Sequence, residues 1–106
     1  MFGLFNKNSE KVINVNDIDN LIGEINLIDI REPFEYREGS LKTAKNIPMR
    51  ELLDDPEKYL DKSKEYHIVC QSGGRSLRAC HQLSGLGFDV VNVAGGVGSY
   101  SGSKRK

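Results

Sequence analysis

Residues 66–76 read YHIVCQSGGRS, from Tyr66 to Ser76, and this stretch decides the fold. Tyr66 to Val69 is a short apolar run of the kind that fills a buried strand. It delivers Cys70 directly into the turn Gln71-Ser72-Gly73-Gly74, and Arg75 and a helical pattern follow. Such a turn has little side-chain bulk, so its backbone N–H groups can converge on one point. The helix beyond it aims its positive dipole end at the same point. Both effects favour thiolate over thiol, and the thiolate is the reactive form. Arg75 adds a fixed cation with a planar fork of donors. Cys70 is therefore read as a nucleophile with a depressed pKa.

Outward from this stretch, short strands alternate with short helices. Towards the C-terminus, Ala79, Cys80, Leu83 and Leu86 recur at helical spacing. Gly87 fits the left-handed position that ends a helix, which pairs Phe88 with Leu83 in a Schellman cap. Asp89 to Val93 then reads as a last strand, broken by Ala94-Gly95-Gly96. Towards the N-terminus, Val12 to Val15 reads as a first strand. Asn16 is placed to cap a helix carrying Ile18, Leu21 and Ile22, and Gly23 to stop it. Asn26 to Ile30 is a compact buried strand. Glu32-Pro33 opens a short helix that ends at Gly39. Lys45 to Ile47 is a brief strand. Met49 to Asp54 and Pro56 to Leu60 read as helices, the second capped by Asp55. Strands separated by helices imply an α/β fold with a parallel sheet covered on both faces.

Composition narrows the class. At 106 residues the chain makes one domain, with 38% hydrophobic and 28% charged residues, ordinary for a globular protein. Fifteen acidic and fifteen basic residues cancel, so nothing argues for nucleic acid. No run approaches the roughly 18 apolar residues of a membrane span. Residues 1–10 have an apolar patch but no signal-peptide core, and are read as a flexible segment. Residues 11–100 are read as the domain, and residues 101–106, SGSKRK, as a flexible tail. Two cysteines are too few for a disulfide scaffold, which favours the cytoplasm and free thiols. No His/Cys spacing resembles a metal site. Neutral composition gives no reason to expect more than a monomer.

The two cysteines differ by placement. Cys70 lies where a βα turn opens at the carboxyl edge of the sheet, where ligands of open α/β sheets bind. Cys80 lies mid-helix on the apolar face and reads as a small hydrophobe. The alternative, a resolving thiol, would need it to approach Cys70 from further down a helix that rises about 1.5 Å per residue. His67 is three residues before Cys70 in a strand, so it should face the other way. His81 lies off the apolar face of its helix.

The stretch CQSGGRS after Ile68-Val69 resembles the active-site loop of the rhodanese superfamily. Residues 27–49, LIDIREPFEYREGSLKTAKNIPM, are similar to the other signature of that family, matching it at Asp29, Arg31, Glu32, Glu35, Tyr36, Gly39, Ala44, Asn46, Ile47 and Pro48. Gly95-Gly96 is a third, weaker match. The resemblance implies a five-stranded parallel sheet with helices on both faces. It implies a sulfurtransferase in which the cysteine thiolate takes a sulfane sulfur from thiosulfate or a persulfide donor and passes it to cyanide or a thiol, without a cofactor. Mapped onto this chain, Cys70 is the nucleophile, and the loop residues Gln71, Ser72, Gly73, Gly74 and Ser76 cradle the anionic donor and the persulfide. Arg75 closes the loop, either bracing it or touching substrate. Arg31 is a candidate to attract an anionic donor, with a salt bridge to Glu35 or another carboxylate as the alternative. Asp29 is read as an acceptor for nearby loop backbone.

Four residues separate Cys70 from Arg75, the length that sulfurtransferases of this superfamily use, whereas the related phosphatases and arsenate reductases use five. The histidine of the family's Gly-His-Ile is replaced by Ser40, and its C-terminal tryptophan has Tyr100 as a packing substitute. A second reading is a persulfide carrier that docks on a sulfur-acceptor protein and turns over small molecules poorly.

Overall fold

The computed structural model describes residues 11–106. It has five strands: β1 (Val12–Asn14), β2 (Asn26–Asp29), β3 (Lys45–Asn46), β4 (Glu65–Val69) and β5 (Asp89–Ala94). Five helices accompany them: α1 (Pro33–Arg37), α2 (Met49–Asp54), α3 (Pro56–Tyr59), α4 (Gly74–Gly85) and α5 (Gly96–Ser99). All strand pairs are parallel, in the order β1-β5-β4-β2-β3. The expected α/β architecture is therefore present. Residues 1–10, where a flexible segment was expected, lie outside the described residues.

Two apolar layers cover the sheet. One joins Ile28, Ile30, Ile68 and Val90 to Leu52 of α2 and to Ala79, Cys80 and Leu83 of α4. The other joins Leu27, Val69 and Val93 to Val15, Ile18, Val97 and Tyr100, with Tyr36 of α1 against it. Neighbouring strands β2 and β4 thus lead into helices on opposite faces. A crevice opens between their carboxyl ends, and Cys70 lies there.

The ends of α4 follow from its sequence. Gly73 has φ +103° and turns the chain into the helix. At the other end Phe88 N–H donates to Leu83 O and Gly87 N–H to Ser84 O, both at 3.0 Å, with Gly87 at φ +96°. This is the expected Schellman cap. Leu86, expected on the buried face, is 50% exposed. The chain leaves the helix at Leu86, and Phe88 fills the core instead.

Other differences are local. The helix expected after the first strand is two 3-10 turns, Val15–Asp17 and Asp19–Leu21. Asn14, not Asn16, is the cap: its Oδ1 accepts the Asn16 N–H at 2.8 Å. Asn and Asp side chains compete for the backbone in this stretch and keep the turns short. Residues 104–106 are not a loose end. Lys42 N–H donates to Lys104 O at 2.7 Å, and Lys106 N–H to Ser40 O at 3.1 Å. Lys106 Nζ donates to Ala44 O and lies 4.7 Å from the centre of the Tyr36 ring. The tail supplies partners to backbone groups of residues 40–44. Among the described residues, no helix is long and apolar enough to cross a membrane.

His67 faces away from Cys70, on the side of Val69, as strand alternation requires. It is 5% exposed and its Nδ1 has no hydrogen-bond partner. Burial lowers its pKa, and Glu65, the next influence, only partly opposes this. The unfolded chain therefore takes up this proton first as pH falls. The stability linked to His67 is complete above the ordinary histidine value of about 6.5 and declines below it. We expect the urea midpoint of the wild type to fall between pH 7.5 and pH 5.5, and His67→Leu to flatten that fall. Equal slopes in the two proteins would exclude His67 as the source.

Candidate active site

Strand β4 ends at Val69, so Cys70 is the first residue of the turn into α4, and it is 1% exposed. Its sulfur accepts the Gly73 N–H at 3.1 Å and the Ser76 N–H at 3.3 Å. The Ser76 hydroxyl lies 3.4 Å away, positioned to receive the thiol proton. Burial pushes the Cys70 pKa up. Hydrogen bonds to Ser76 Oγ and to the N–H groups of Ser76, Gly73 and Ser72 outweigh burial and bring it below its ordinary value. The electrostatics are thus those of a turn of inward-facing donors.

The carbonyls of this turn are held outward by a second glycine-rich segment. Val97 N–H donates to Cys70 O and Gly98 N–H to Gln71 O, both at 2.9 Å. The close approach requires glycine. Gly96 has φ +68°, and a Cβ there would fall 2.5 Å from Cys70 O and closer still to Gln71 O. A Cβ on Gly73 would meet Gly95 N at 3.2 Å. In the sequence Gly95-Gly96 looks like a simple strand break. Its role as a clasp on the cysteine loop depends on α5, which at four residues is too short to show a periodic pattern.

The two arginines do different things. Arg75 forks onto Glu35: Nη1 donates to Oε1 at 2.9 Å and Nη2 to Oε2 at 3.0 Å. This ties α4 to α1. The hydrogen bond from Arg75 holds the Glu35 carboxyl at about 2. Arg31 is buried, and its partner is Asp29, with Nη2 2.8 Å from Oδ2; Glu35 is taken by Arg75. The remaining donors of Arg31 reach Gln71 Oε1 at 2.9 Å and Gly39 O at 2.7 Å. Arg31 is thereby joined to the loop through Gln71. Asp29 accepts the Arg31 N–H, as expected of it, and also the Ser40 hydroxyl at 2.7 Å. Ser40 therefore fills a buried hydrogen-bonding place.

Other candidates fall as follows. Ser72 is exposed on the turn, and Gly74 is the first residue of α4. Cys80 is 2% exposed, and burial pushes its thiol up to about 12. Tyr100 packs in the second layer, with its hydroxyl donating to Asp19 Oδ1 at 2.5 Å. Beside the loop is an open cavity of about 520 Å³ walled by Ile30, Met49 and Leu53 and edged by Arg50, Arg75 and Arg78. Among the described residues, no group of three His, Cys, Asp or Glu side chains could hold a metal ion. Asn92, whose Oδ1 accepts from the Ser76 hydroxyl, and the partnership of Glu35 with Arg75 were not visible in the sequence, because each contact joins separate segments of the chain.

A family model of the rhodanese-like domain matches residues 14–103. The chain belongs to the rhodanese-like family. YtwF of Bacillus subtilis (strain 168), provisionally named a sulfurtransferase, is 43% identical over 82 residues, which cover 77% of this rhodanese-like domain and 79% of YtwF. A sulfurtransferase of Allochromatium vinosum is 35% identical over 75 residues, covering 70% and 69%. The crystal structure of a rhodanese-related protein from Thermoplasma volcanium superposes with a TM-score of 0.76 at 39% identity, covering 85% of this chain and 89% of that one.

The clasp can be tested with two glycines. Gly85, the last residue of α4, has open space where a Cβ would project. We expect Gly85→Ala to stabilise the domain by about 0.5–1 kcal/mol. Gly96→Ala should destabilise it by about 1–3 kcal/mol and slow Cys70 alkylation at least tenfold. Equal melting temperatures for the two variants would contradict the clasp.

Proposed function

We propose that this domain moves a sulfane sulfur from thiosulfate or a persulfide donor to a nucleophilic acceptor through a persulfide on Cys70. The observation that carries the reading is the sulfur of Cys70 held by the N–H groups of Gly73 and Ser76, with its pKa lowered. The family and its sulfurtransferase relatives support the reaction class.

In the first half-reaction the Cys70 thiolate attacks the outer sulfur of thiosulfate. A new S–S bond forms as the old one breaks, and sulfite leaves with the electron pair. In the second, an acceptor such as cyanide attacks the outer sulfur of the persulfide. Thiocyanate leaves and the Cys70 thiolate returns. The N–H groups of the turn from Gln71 to Ser76 offset negative charge at both stages. Arg75 and Arg31 serve by fixing the turn, Arg75 through Glu35 and Arg31 through Gln71. The cavity beside the loop carries Arg50, Arg75 and Arg78 together with Glu32 and Asp54, and with Arg75 paired to Glu35 its lining has no clear excess of either sign. Two unpaired cysteines fit a reducing compartment such as the cytoplasm.

Intact-protein mass after incubation with thiosulfate tests this. Wild type should gain one sulfur atom and lose it to cyanide as thiocyanate. Cys70→Ser should gain none. Addition of sulfur to both proteins would sink the assignment of Cys70. A persulfide that forms but reacts poorly with cyanide and small thiols would move the acceptor from a small molecule to a partner protein.

A further inference from the structure

Asn92 is a polar residue in the run Val90-Val91-Asn92-Val93 of β5 and is only 5% exposed. In the sheet it lies beside Ile68 of β4, two residues before Cys70. Its Oδ1 is 2.5 Å from Ser76 Oγ. Ser76 is itself fully buried, and the same oxygen lies 3.4 Å from the Cys70 sulfur. Cys70, Ser76 and Asn92 thus form a buried line of three polar groups. We propose that Asn92 is a positioning residue for the reaction of Cys70: its amide turns between two orientations and so lets the Ser76 hydroxyl serve the thiol as acceptor and the thiolate as donor.

Proton counting at Ser76 leads to this role, which rests on Cys70 being the nucleophile of the proposed reaction. A serine hydroxyl has one proton and two lone pairs. With Cys70 as the thiol, S–H donates to Ser76 Oγ and Ser76 O–H donates to Asn92 Oδ1. Every proton has a place. When the thiol loses its proton to solvent, the sulfur becomes acceptor only. The Ser76 proton then turns towards the sulfur. That leaves Ser76 Oγ and Asn92 Oδ1 facing each other as two acceptors 2.5 Å apart. A half-turn of the amide replaces Oδ1 with Nδ2–H, which donates to Ser76 Oγ. Beyond the departing thiol proton, no covalent bond is made or broken. An amide suits this position because its two ends are similar in shape and opposite in hydrogen bonding. A carboxylate would keep the serine proton for itself. Leucine would leave Ser76 Oγ without the donor that the thiolate state needs. Gly73 O, at 3.2 Å from Ser76 Oγ, is an acceptor only and cannot supply the donor that the thiolate state needs. A line of aligned hydrogen bonds also polarises its members, which strengthens the donor aimed at the sulfur.

Side-chain amide NMR signals of Asn92, followed through a pH titration, test the relay without any sulfur transfer. They should shift with the same midpoint as Cys70 alkylation in the wild type and stay flat in Cys70→Ser. In Ser76→Ala the step should shrink to a small fraction while Cys70 still titrates. Asn92→Leu, an apolar residue in an apolar strand, should move the midpoint of the pH profile of Cys70 alkylation to higher pH, with the rate below that midpoint falling about threefold. Adding Ser76→Ala to it should lower the rate no further than Ser76→Ala alone. Amide signals that ignore the Cys70 titration, or a step of full size in Ser76→Ala, would overturn the proposal. A failed thiosulfate reaction would leave these measurements unaffected, so the two readings fail separately.

Discussion

A turn that gathers N–H groups around a sulfur must send its carbonyls elsewhere, and buried carbonyls need donors. This constraint organises the site. Val97 and Gly98 provide those donors to Cys70 and Gln71, and they can do so only because Gly96 has no side chain. The short α5 therefore has a purpose beyond covering the sheet. It sets the orientation of the peptide planes in the turn that surrounds the Cys70 sulfur. The position of β5, beside β4 in a parallel sheet, brings this second turn to the same edge as the first.

Around that arrangement the charges are divided between two pairs. Asp29–Arg31 is buried and carries Ser40, Gln71 and the carbonyl of Gly39 with it. Removal of one member of such a pair strands a charge and typically costs about 3–5 kcal/mol. Glu35–Arg75 is part-exposed and bridges α1 to α4 across the crevice. Both arginines thus act on the loop from its flanks. In the proposed reaction the negative charge would be met by backbone N–H groups, whose dipoles are fixed by folding and need little reorganisation.

Much of this was legible in the sequence where local rules are strong. The apolar run before Cys70, the glycine turn, the apolar face of α4 and the Gly87 cap each follow from the chemistry of neighbouring residues. The family resemblance added the order of the blocks and the expected five-stranded parallel sheet. Legibility failed where contacts join distant segments. Arg75 and Glu35 are forty positions apart, and nothing in either neighbourhood pairs them. Asn92 looks like an irregularity in a valine-rich strand until β5 is placed beside β4. The 3-10 turns at Val15–Leu21 were hidden for another reason. Their apolar residues have helical spacing, but Asn and Asp side chains draw the backbone into turns. The tail at residues 104–106 has loop-like composition, and only its pairing with residues 40–42 makes it part of the fold.

The environment of Cys80 bears on the fate of a sulfur held at Cys70. With its pKa pushed up to about 12 by burial, the Cys80 thiol keeps its proton at neutral pH. A persulfide is consumed by thiolates, and this one has no competent thiolate from Cys80 waiting inside the domain. A sulfur carried on Cys70 in the proposed reaction would therefore be insulated from an internal disulfide that would discharge it unused. Under the proposed reaction, the lifetime of the Cys70 persulfide would then be set by what arrives from solution, and the domain would serve as a store as well as a conduit.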